Sequence, residues 1–309
     1  MSKSLPPVAL IAGPTASGKS ALALALAERT GGAIVNADSA QLYRDLPVLS
    51  AAPTAEDRAR AEHKLYGVAD GARPCSAAEW AAMAAREIRA LHGEGRLPIL
   101  VGGTGLYLRT LLDGIAPVPP IDPEVRRQVR AATVAANRAR LAELDPAAAE
   151  RLEPGDIARI ARALEVMLST GRPLAEWQQR REGGIAGSVE LRPLILLPPR
   201  DWLYARCDAR FAAMMDSRAV DEVRRLLDRN LDPGVPVMRA IGVREIAAFL
   251  RGEIGRDAAI ALGSQATRRY AKRQYTWFAH QPPAHWPRFR EALDETSLQQ
   301  ALALLGARP

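Results

Sequence analysis

Four short, nearly unbroken apolar runs punctuate the chain: Val8 to Ala12, Ala33 to Ala37, Leu97 to Val101 and Leu191 to Leu197. Runs of this length without polar alternation predict strands buried on both faces, as in a parallel sheet. The stretches between them read as helices. Lys19 to Arg29 is rich in alanine and leucine, and Ser76 with Glu79 forms the Ser-x-x-Glu start of a helix that runs to about Leu91. Residues 45–75 are irregular, with Pro47, Pro53, Gly71 and Pro74 interrupting the pattern around a short charged helix near 54–63. Beyond Leu197, helices are predicted near 201–229, 238–250 and 256–279. Strands alternating with helices imply an α/β fold with a parallel sheet flanked by helices.

Two breaks divide this pattern, a proline-rich one at Pro117 to Pro123 and a glycine-rich one at Gly183 to Gly187. Only helical patterns lie between them. In Asp156 to Leu168, residues Ile157, Ile160, Leu164 and Leu168 share a face, while Arg159 and Arg162 lie towards another. Residues 122–184 are therefore expected to form a small all-helical insertion, with 1–121 and 185–309 composing a discontinuous α/β core. Taken one at a time, the arginines of the insertion read as a solvated face.

The sharpest chemical signal follows the first strand. Gly13, Pro14, Thr15, Ala16, Ser17, Gly18, Lys19 and Ser20 fit the phosphate-loop pattern G-x-x-x-x-G-K-[ST], between a predicted strand and a predicted helix. Glycines let successive backbone N–H groups converge on an anion, and the helix N-terminus adds its partial positive charge. Lys19 supplies a point charge for a terminal phosphate, and the Ser20 hydroxyl can ligate a magnesium ion held between phosphate oxygens. The motif alone specifies a di- or triphosphate ligand. Asp38, just past the second strand, has three readings: magnesium ligand, general base or helix N-cap. Gly102 and Gly103, at the end of the third strand, signal either a close approach or a tight turn. That strand carries no acidic residue, so the carboxylate of a motor-type ATPase is missing.

Charge extends the picture. Of 309 residues, 42 are Lys or Arg and 35 Asp or Glu, a net +7, with most of the surplus after residue 184. Such a balance favours a polyanionic partner. Near the C-terminal end, Arg268, Arg269, Lys272 and Arg273 interleave with Tyr270, Tyr275, Trp277 and Phe278. Helical spacing puts Tyr270 and Trp277 on one face, read as core, and Arg268 with Lys272 opposite, a candidate phosphate contact. Cys75 and Cys207 have no metal or disulfide spacing, and the histidines do not cluster. No signal-peptide pattern or membrane-length run is present, so a soluble, cytoplasmic protein is expected, with a monomer as the default.

Seven ordered stretches together resemble the tRNA dimethylallyltransferase family, also called tRNA isopentenyltransferases. They are Gly13 to Ser20, Asp38 to Tyr43, Val101 to Tyr107, Arg162 to Val166, Asp208 to Phe211, Arg239 to Gly242 and Ala271 to Gln274. The resemblance implies a P-loop NTPase-like fold whose loop holds dimethylallyl diphosphate rather than ATP. It implies transfer of the dimethylallyl group to the N6 amine of the adenosine 3′-adjacent to the anticodon of tRNA, with Mg2+ as cofactor. By resemblance, Asp38 is the general base and Thr104 hydrogen-bonds near the same centre, while Lys19 and Arg210 offset charge on the departing diphosphate. Asp38, Ser39, Ala40, Gln41 and Thr104, with Arg162, Ala163, Leu164, Glu165 and Val166 of the insertion, resemble tRNA-contacting segments. Arg126, Arg239, Gly242 and Arg244 join them more loosely.

The chain departs from the family pattern in two places. Ala52 stands where a lysine is expected, which calls for compensation by another group such as Arg44, and Val243-Arg244-Glu245 stands for Tyr-Arg-Gln. Two other readings fit the phosphate loop: a small-metabolite kinase using ATP, with Asp38 activating a hydroxyl, and an RNA-binding protein whose loop is structural.

Overall fold

The computed structural model describes residues 4–306. Six strands, β1 (Pro7–Ala12), β2 (Ala33–Asn36), β3 (His63–Lys64), β4 (Pro98–Gly102), β5 (Glu190–Leu196) and β6 (Arg288–Phe289), form one sheet in the order β3-β2-β4-β1-β5-β6. Every neighbouring pair is parallel. The four apolar runs supply the inner strands. β3 and β6 are two residues each, too short to leave a period in the sequence.

Alternation along the inner strands assigns their two faces. Ala9, Ile11, Ile34, Ile99, Val101, Leu194 and Leu196 pack with Leu22, Leu24 and Leu26 of α1 (Lys19–Thr30) and with Ala301 and Leu302 of a C-terminal helix, Glu295–Leu304. Val8, Leu10, Val35 and Leu100 point the other way and are equally buried. The helix after β3, α2 (Ala77–Gly93), starts with the capping box read from the sequence. The Glu79 N–H donates to Ser76 Oγ at 3.1 Å, and the Ser76 N–H to Glu79 Oε2 at 2.8 Å. Its buried Trp80 donates from Nε1 to the Asn36 carbonyl, fixing the end of β2. Following β4, α3 (Gly105–Asp113) leads out of the core.

The chain folds as two compact units, one up to Leu111 and from Ile185 onward, the other Leu112–Gly184. The second unit begins before the proline-rich break because its two ends are paired. Ile115 and Glu182 exchange backbone hydrogen bonds at 3.0 Å, and a side chain at Gly114 would collide with the Glu182 carbonyl oxygen. Within this unit lie Pro123–Ala131, Val134–Leu144, Pro146–Arg151, Ile157–Thr170 and Leu174–Trp177, all helical. Its core is Val129, Leu141, Ala148, Ala149, Ile160, Ala163 and Leu164. The apolar face predicted for the fourth of these helices is rotated. Ile157 and Leu168 are exposed, and the helix buries Ile160, Ala163, Leu164, Glu165 and Val166 instead.

After β5 the first unit is mainly helical. The predicted 201–229 segment is two helices, α4 (Arg200–Met215) and α5 (Ala219–Asp228), followed by α6 (Val243–Leu250) and the long α7 (Arg256–His280). α5 carries a buried carboxylate, Glu222, which accepts hydrogen bonds from the N–H groups of Val48 and Leu49 at 2.9 and 3.0 Å. This contact ties the irregular 45–75 segment to the helices. Glu222→Ala leaves two buried donors without an acceptor, and we expect it to lower unfolding free energy by roughly 2–4 kcal/mol in urea titration. Glu222→Gln, which keeps one acceptor oxygen, should cost about half as much.

Candidate functional site

The inner strands end almost flush. Ala12 pairs with Gly102 and with Ile195, and Asn36 with Val101. The segments that leave them, Gly13 onward, Ala37-Asp38 and Gly103-Thr104, therefore emerge together at the carboxyl edge of the sheet, where α/β folds bind ligands. Their backbones touch. A Cβ at Gly102 would lie 2.1 Å from the Ala37 carbonyl oxygen, and one at Gly13 would lie 2.4 Å from that of Leu196. Of the two sequence readings of Gly102, close approach is the one found.

The phosphate loop has the strained backbone that an anion cradle requires. Ala16 and Gly18 adopt left-handed φ angles of 64° and 95°. Ser17 is buried and its hydroxyl has no internal partner among the described residues. Lys19 lies partly buried beneath the loop, its Nζ donating to the Pro14 carbonyl at 2.6 Å. Burial pulls the Lys19 pKa down to about 8, with Arg210 adding to the depression, while Asp38 and Cys207 oppose it. Arg210, on α4, donates to Thr15 Oγ1, and Arg206, one turn earlier, donates to the Ala16 carbonyl at 3.1 Å. Burial also lowers the Arg210 pKa. Two cations are thus poorly solvated beside one concavity, a state that a bound polyanion relieves. Ser20 is exposed at the start of α1 and faces a separate, smaller cleft.

Asp38 and Thr104 line a second wall of the same region. Asp38 Oδ1 accepts from the Ala40 N–H at 3.0 Å, so this carboxylate closes a turn at its own strand end. Thr104 Oγ1 accepts from the Ser39 N–H at 3.0 Å, and its N–H donates to the Ala37 carbonyl. Gln41 donates from Nε2 to the carbonyls of Ser50 and Ala51, holding the next loop rather than facing outward.

A cleft of about 530 Å³ opens between these walls. Thr15, Arg210, Asp38 and Thr104 form its polar end, and Leu46, Leu49, Phe211, Met214, Val237 and Ile241 give it an apolar side. Tyr43, Tyr107 and Tyr270 also line it; burial keeps Tyr107 and Tyr270 protonated well above the usual phenol range, with the nearby Asp38 charge adding to both. Tyr270 is thus a cleft residue and not the core aromatic expected. The buried face of α7 is instead small or polar, Gly263, Ser264, Thr267, Ala271 and Gln274, with Phe278. Trp277 packs on Gly105 with Arg109 over its ring.

The other sequence candidates are scattered. Arg239 is exposed on the cleft rim, and Gly242, at φ 94°, sits behind it where a Cβ would strike Leu49 and Phe211. Arg244 and Lys272 are exposed and do not line the cleft. Arg268 has its guanidinium paired with Asp208, with both side chains still partly exposed. In the helical unit the Arg162–Val166 strip splits. Ala163, Leu164 and Val166 are core, and the buried Glu165 draws in Arg130 at 2.9 Å and Arg126 and Arg162 at 3.9 Å each. Arg44 does not stand in for the absent lysine. Ala52 lies on the smaller cleft beside Ser20, Arg60 and His63, whereas Arg44 borders a different depression with Arg225 and Arg229.

Sequence reasoning missed Gln274, although it ends the Ala271 to Gln274 motif. Its buried amide accepts from the Thr15 N–H and donates to the Gly103 carbonyl, each at 2.8 Å, bolting the phosphate loop to the Thr104 loop. Only the fold brings these residues together. Gln274→Leu removes both bonds at similar volume; we expect a stability loss of about 1–3 kcal/mol in thermal unfolding. Affinity for inorganic diphosphate, read by calorimetry, should fall with it.

With this geometry in view, comparison with known proteins is direct. The IPP transferase family model matches residues 41–281, and an isopentenyl transferase model matches residues 6–71. The tRNA dimethylallyltransferase of Sphingopyxis alaskensis is 62% identical over 287 residues, covering 93% of this chain and 94% of that protein. That of Erythrobacter litoralis is 62% identical over 288 residues, covering 92% and 91%. Among solved structures, the tRNA isopentenylpyrophosphate transferase of Bacillus halodurans superimposes with a TM-score of 0.69 at 31% identity, covering 97% of this chain and 96% of that one. A eukaryotic dimethylallyltransferase acting on tRNA gives 0.81 at 24% identity, covering 98% and 80%, which speaks to the fold. The P-loop NTPase-like fold is shared with these structures, and the chain belongs to the IPP transferase family.

Proposed function

We propose that this chain transfers the dimethylallyl group of dimethylallyl diphosphate to the N6 amine of the adenosine 3′-adjacent to the anticodon of tRNA, releasing diphosphate. The observation that carries the reading is the join within one cleft between a phosphate loop and an apolar wall, with a carboxylate at the seam. A short branched hydrocarbon on a diphosphate needs both surfaces. The relatives' names supply tRNA as the acceptor molecule, and the family resemblance supplies its adenosine.

The chemistry follows from the residues. A C–N bond forms as the C–O bond to diphosphate breaks, and the amine loses a proton. Its lone pair is delocalised into the purine, so removing that proton as the bond forms assists attack; Asp38 accepts it and the Thr104 hydroxyl orients the amine. Lys19 and Arg210 offset the charge that grows on the leaving group. An adenosine stacked in an anticodon loop must be extruded to reach this depth. Of the phosphate-loop residues, Ser20 would hold Mg2+ through its hydroxyl, from the side of the smaller cleft that it borders; when bound, the ion would supply further charge stabilisation. A single polar protein oxygen suits an ion that keeps water and phosphate ligands. We take the enzyme as a monomer, acting in the cytoplasm where tRNA is processed. Among the described residues no helix is long and apolar enough to cross a membrane.

Incubation with radiolabelled dimethylallyl diphosphate, magnesium and unmodified tRNA should place label in the tRNA, lost with guanosine at the acceptor position. Absence of label alongside ATP consumption with a metabolite pool would instead support a kinase. Asp38→Asn should lower single-turnover transfer by on the order of a hundredfold with donor binding nearly intact; an unchanged rate removes Asp38 from the mechanism.

Lys19 also sets a pH dependence. With its pKa near 8 in the free protein, the amine is charged below that pH and must be recharged for binding above it. Affinity for an alkyl diphosphate, already fully ionised there, should fall as pH rises through 8, approaching tenfold per pH unit. Lys19→Met should bind weakly without that dependence. Stability moves the opposite way. The unfolded chain holds the proton up to about 10.5, so between 8 and that value it binds more protons than the folded one, and the free protein gains stability as pH rises.

A further inference from the structure

Asp38 is the residue on which the proposed transfer turns, yet its own side chain makes one hydrogen bond, to the Ala40 N–H. Its orientation must come from the backbone that carries it. That backbone is gripped from below by a side chain to which the sequence pattern gave no role. Asn36, the last residue of β2, is fully buried. Its Oδ1 accepts from the Asp38 N–H at 2.8 Å, and its Nδ2 donates to the Asp38 carbonyl at 3.0 Å and to the Leu65 carbonyl at 2.9 Å. One amide thus closes on both peptide groups of Asp38.

The grip has a rigid base. Asn36 pairs with Val101 in the sheet, and its carbonyl accepts from Trp80 Nε1 at 2.9 Å. The third bond reaches the other side of the carboxylate's surroundings. Leu65 has a left-handed φ of 63°, unusual for a branched residue, and the bond to its carbonyl helps hold that conformation. Tyr66 follows, close enough that the Asp38 charge adds to the rise in its pKa that burial produces. An aliphatic residue, expected in a buried parallel strand, could make none of these bonds.

We propose that Asn36 is a positioning residue for Asp38, fixing the aim of its carboxylate on the acceptor amine by clamping its backbone and the Leu65 turn beside it. The proposal rests on the reading of Asp38 as general base. Displacement of about 1 Å at a reacting group can cost a hundredfold in rate without touching substrate affinity.

The test is a double-mutant cycle on single-turnover transfer at saturating donor and tRNA, with both Kd values measured separately. Asn36→Leu, similar in volume and unable to hydrogen-bond, should slow transfer by about tenfold to a hundredfold while each Kd stays within about twofold. In an Asp38→Asn background the same change should alter the rate by no more than about twofold, because there is no base left to aim. If Asn36→Leu does not fold, Asn36→Asp decides: it keeps the acceptor for the Asp38 N–H, loses both donations, and should slow transfer by about tenfold. Trp80→Phe, which frees the Asn36 carbonyl but leaves its side chain in place, should lower the melting temperature with little effect on rate. An undiminished rate in the Asn36 variant, or equal losses in both backgrounds, overturns the proposal alone. An undiminished rate in Asp38→Asn overturns the general-base reading and the proposal with it.

Discussion

Contact of backbone with backbone at the carboxyl edge of the sheet is the constraint on which the site depends. Gly102 passes so close to Ala37, and Gly13 to Leu196, that a single methyl group at either would overlap a carbonyl oxygen. Because these approaches are made without side chains, three strand ends occupy the width of one cleft. The phosphate loop, Asp38 and Thr104 then face a common space, although they are far apart in sequence. Gln274 reinforces the arrangement from behind, since its amide satisfies a donor on one loop and an acceptor on another. Buried polar groups of this kind fix a geometry because leaving either end unpaired is costly.

The electrostatics of the cleft follow from that crowding. Lys19 and Arg210 have been taken partly out of water, and burial is the main cause of the fall in both pKa values. The protein holds them in this condition with help from Asp38 and from loop oxygens, the Pro14 carbonyl for one and Thr15 Oγ1 for the other. Those partners are weaker than a diphosphate, so the free site stores an attraction that its ligand can satisfy. In the proposed transfer that attraction would grow as the C–O bond of the departing diphosphate lengthens, because charge would accumulate on oxygens beside fixed cations. In the same proposal the apolar wall opposite would exclude water, which would otherwise screen these charges and compete as nucleophile.

Much of the architecture was legible from period alone. The apolar runs became inner strands because burial on both faces removes any need for alternation, and the Ser76 and Glu79 pair marked a helix start that the structure forms bond for bond. The phosphate loop was legible because its mechanism demands fixed residue types at fixed spacing. What failed did so for identifiable reasons. Ile157 and Leu168 lie on a helical stripe, yet they sit at its ends, beyond the helices that cover Ile160 and Leu164. Tyr270 was read as core because aromatic residues usually are, but α7 packs largely through glycine, serine, threonine and alanine, with Phe278, and Tyr270 is left to line the cleft. The pairing of Arg268 with Asp208, on α4, is likewise a contact that nothing in the sequence discloses.

The same distinction separates the residues proposed to meet ligand from those whose hydrogen bonds hold the backbone around them. Lys19 or Asp38 can be proposed from sequence, because each carries a charge whose use is local to its motif. Asn36 and Gln274 are neutral amides whose value lies entirely in where their partners are, at Leu65 and Asp38 for one and at Thr15 and Gly103 for the other. No spacing rule connects those positions; the sheet order does, by placing β2, β4 and β1 side by side. Glu165 makes the point in the helical unit, where a residue read as an outward contact turns inward and gathers Arg126, Arg130 and Arg162 around a buried carboxylate. With one negative charge set against three positive ones, the cluster stays cationic while its arginines lose freedom. Under the proposed function, arginines held in this way would have less side-chain entropy left to lose on meeting phosphates.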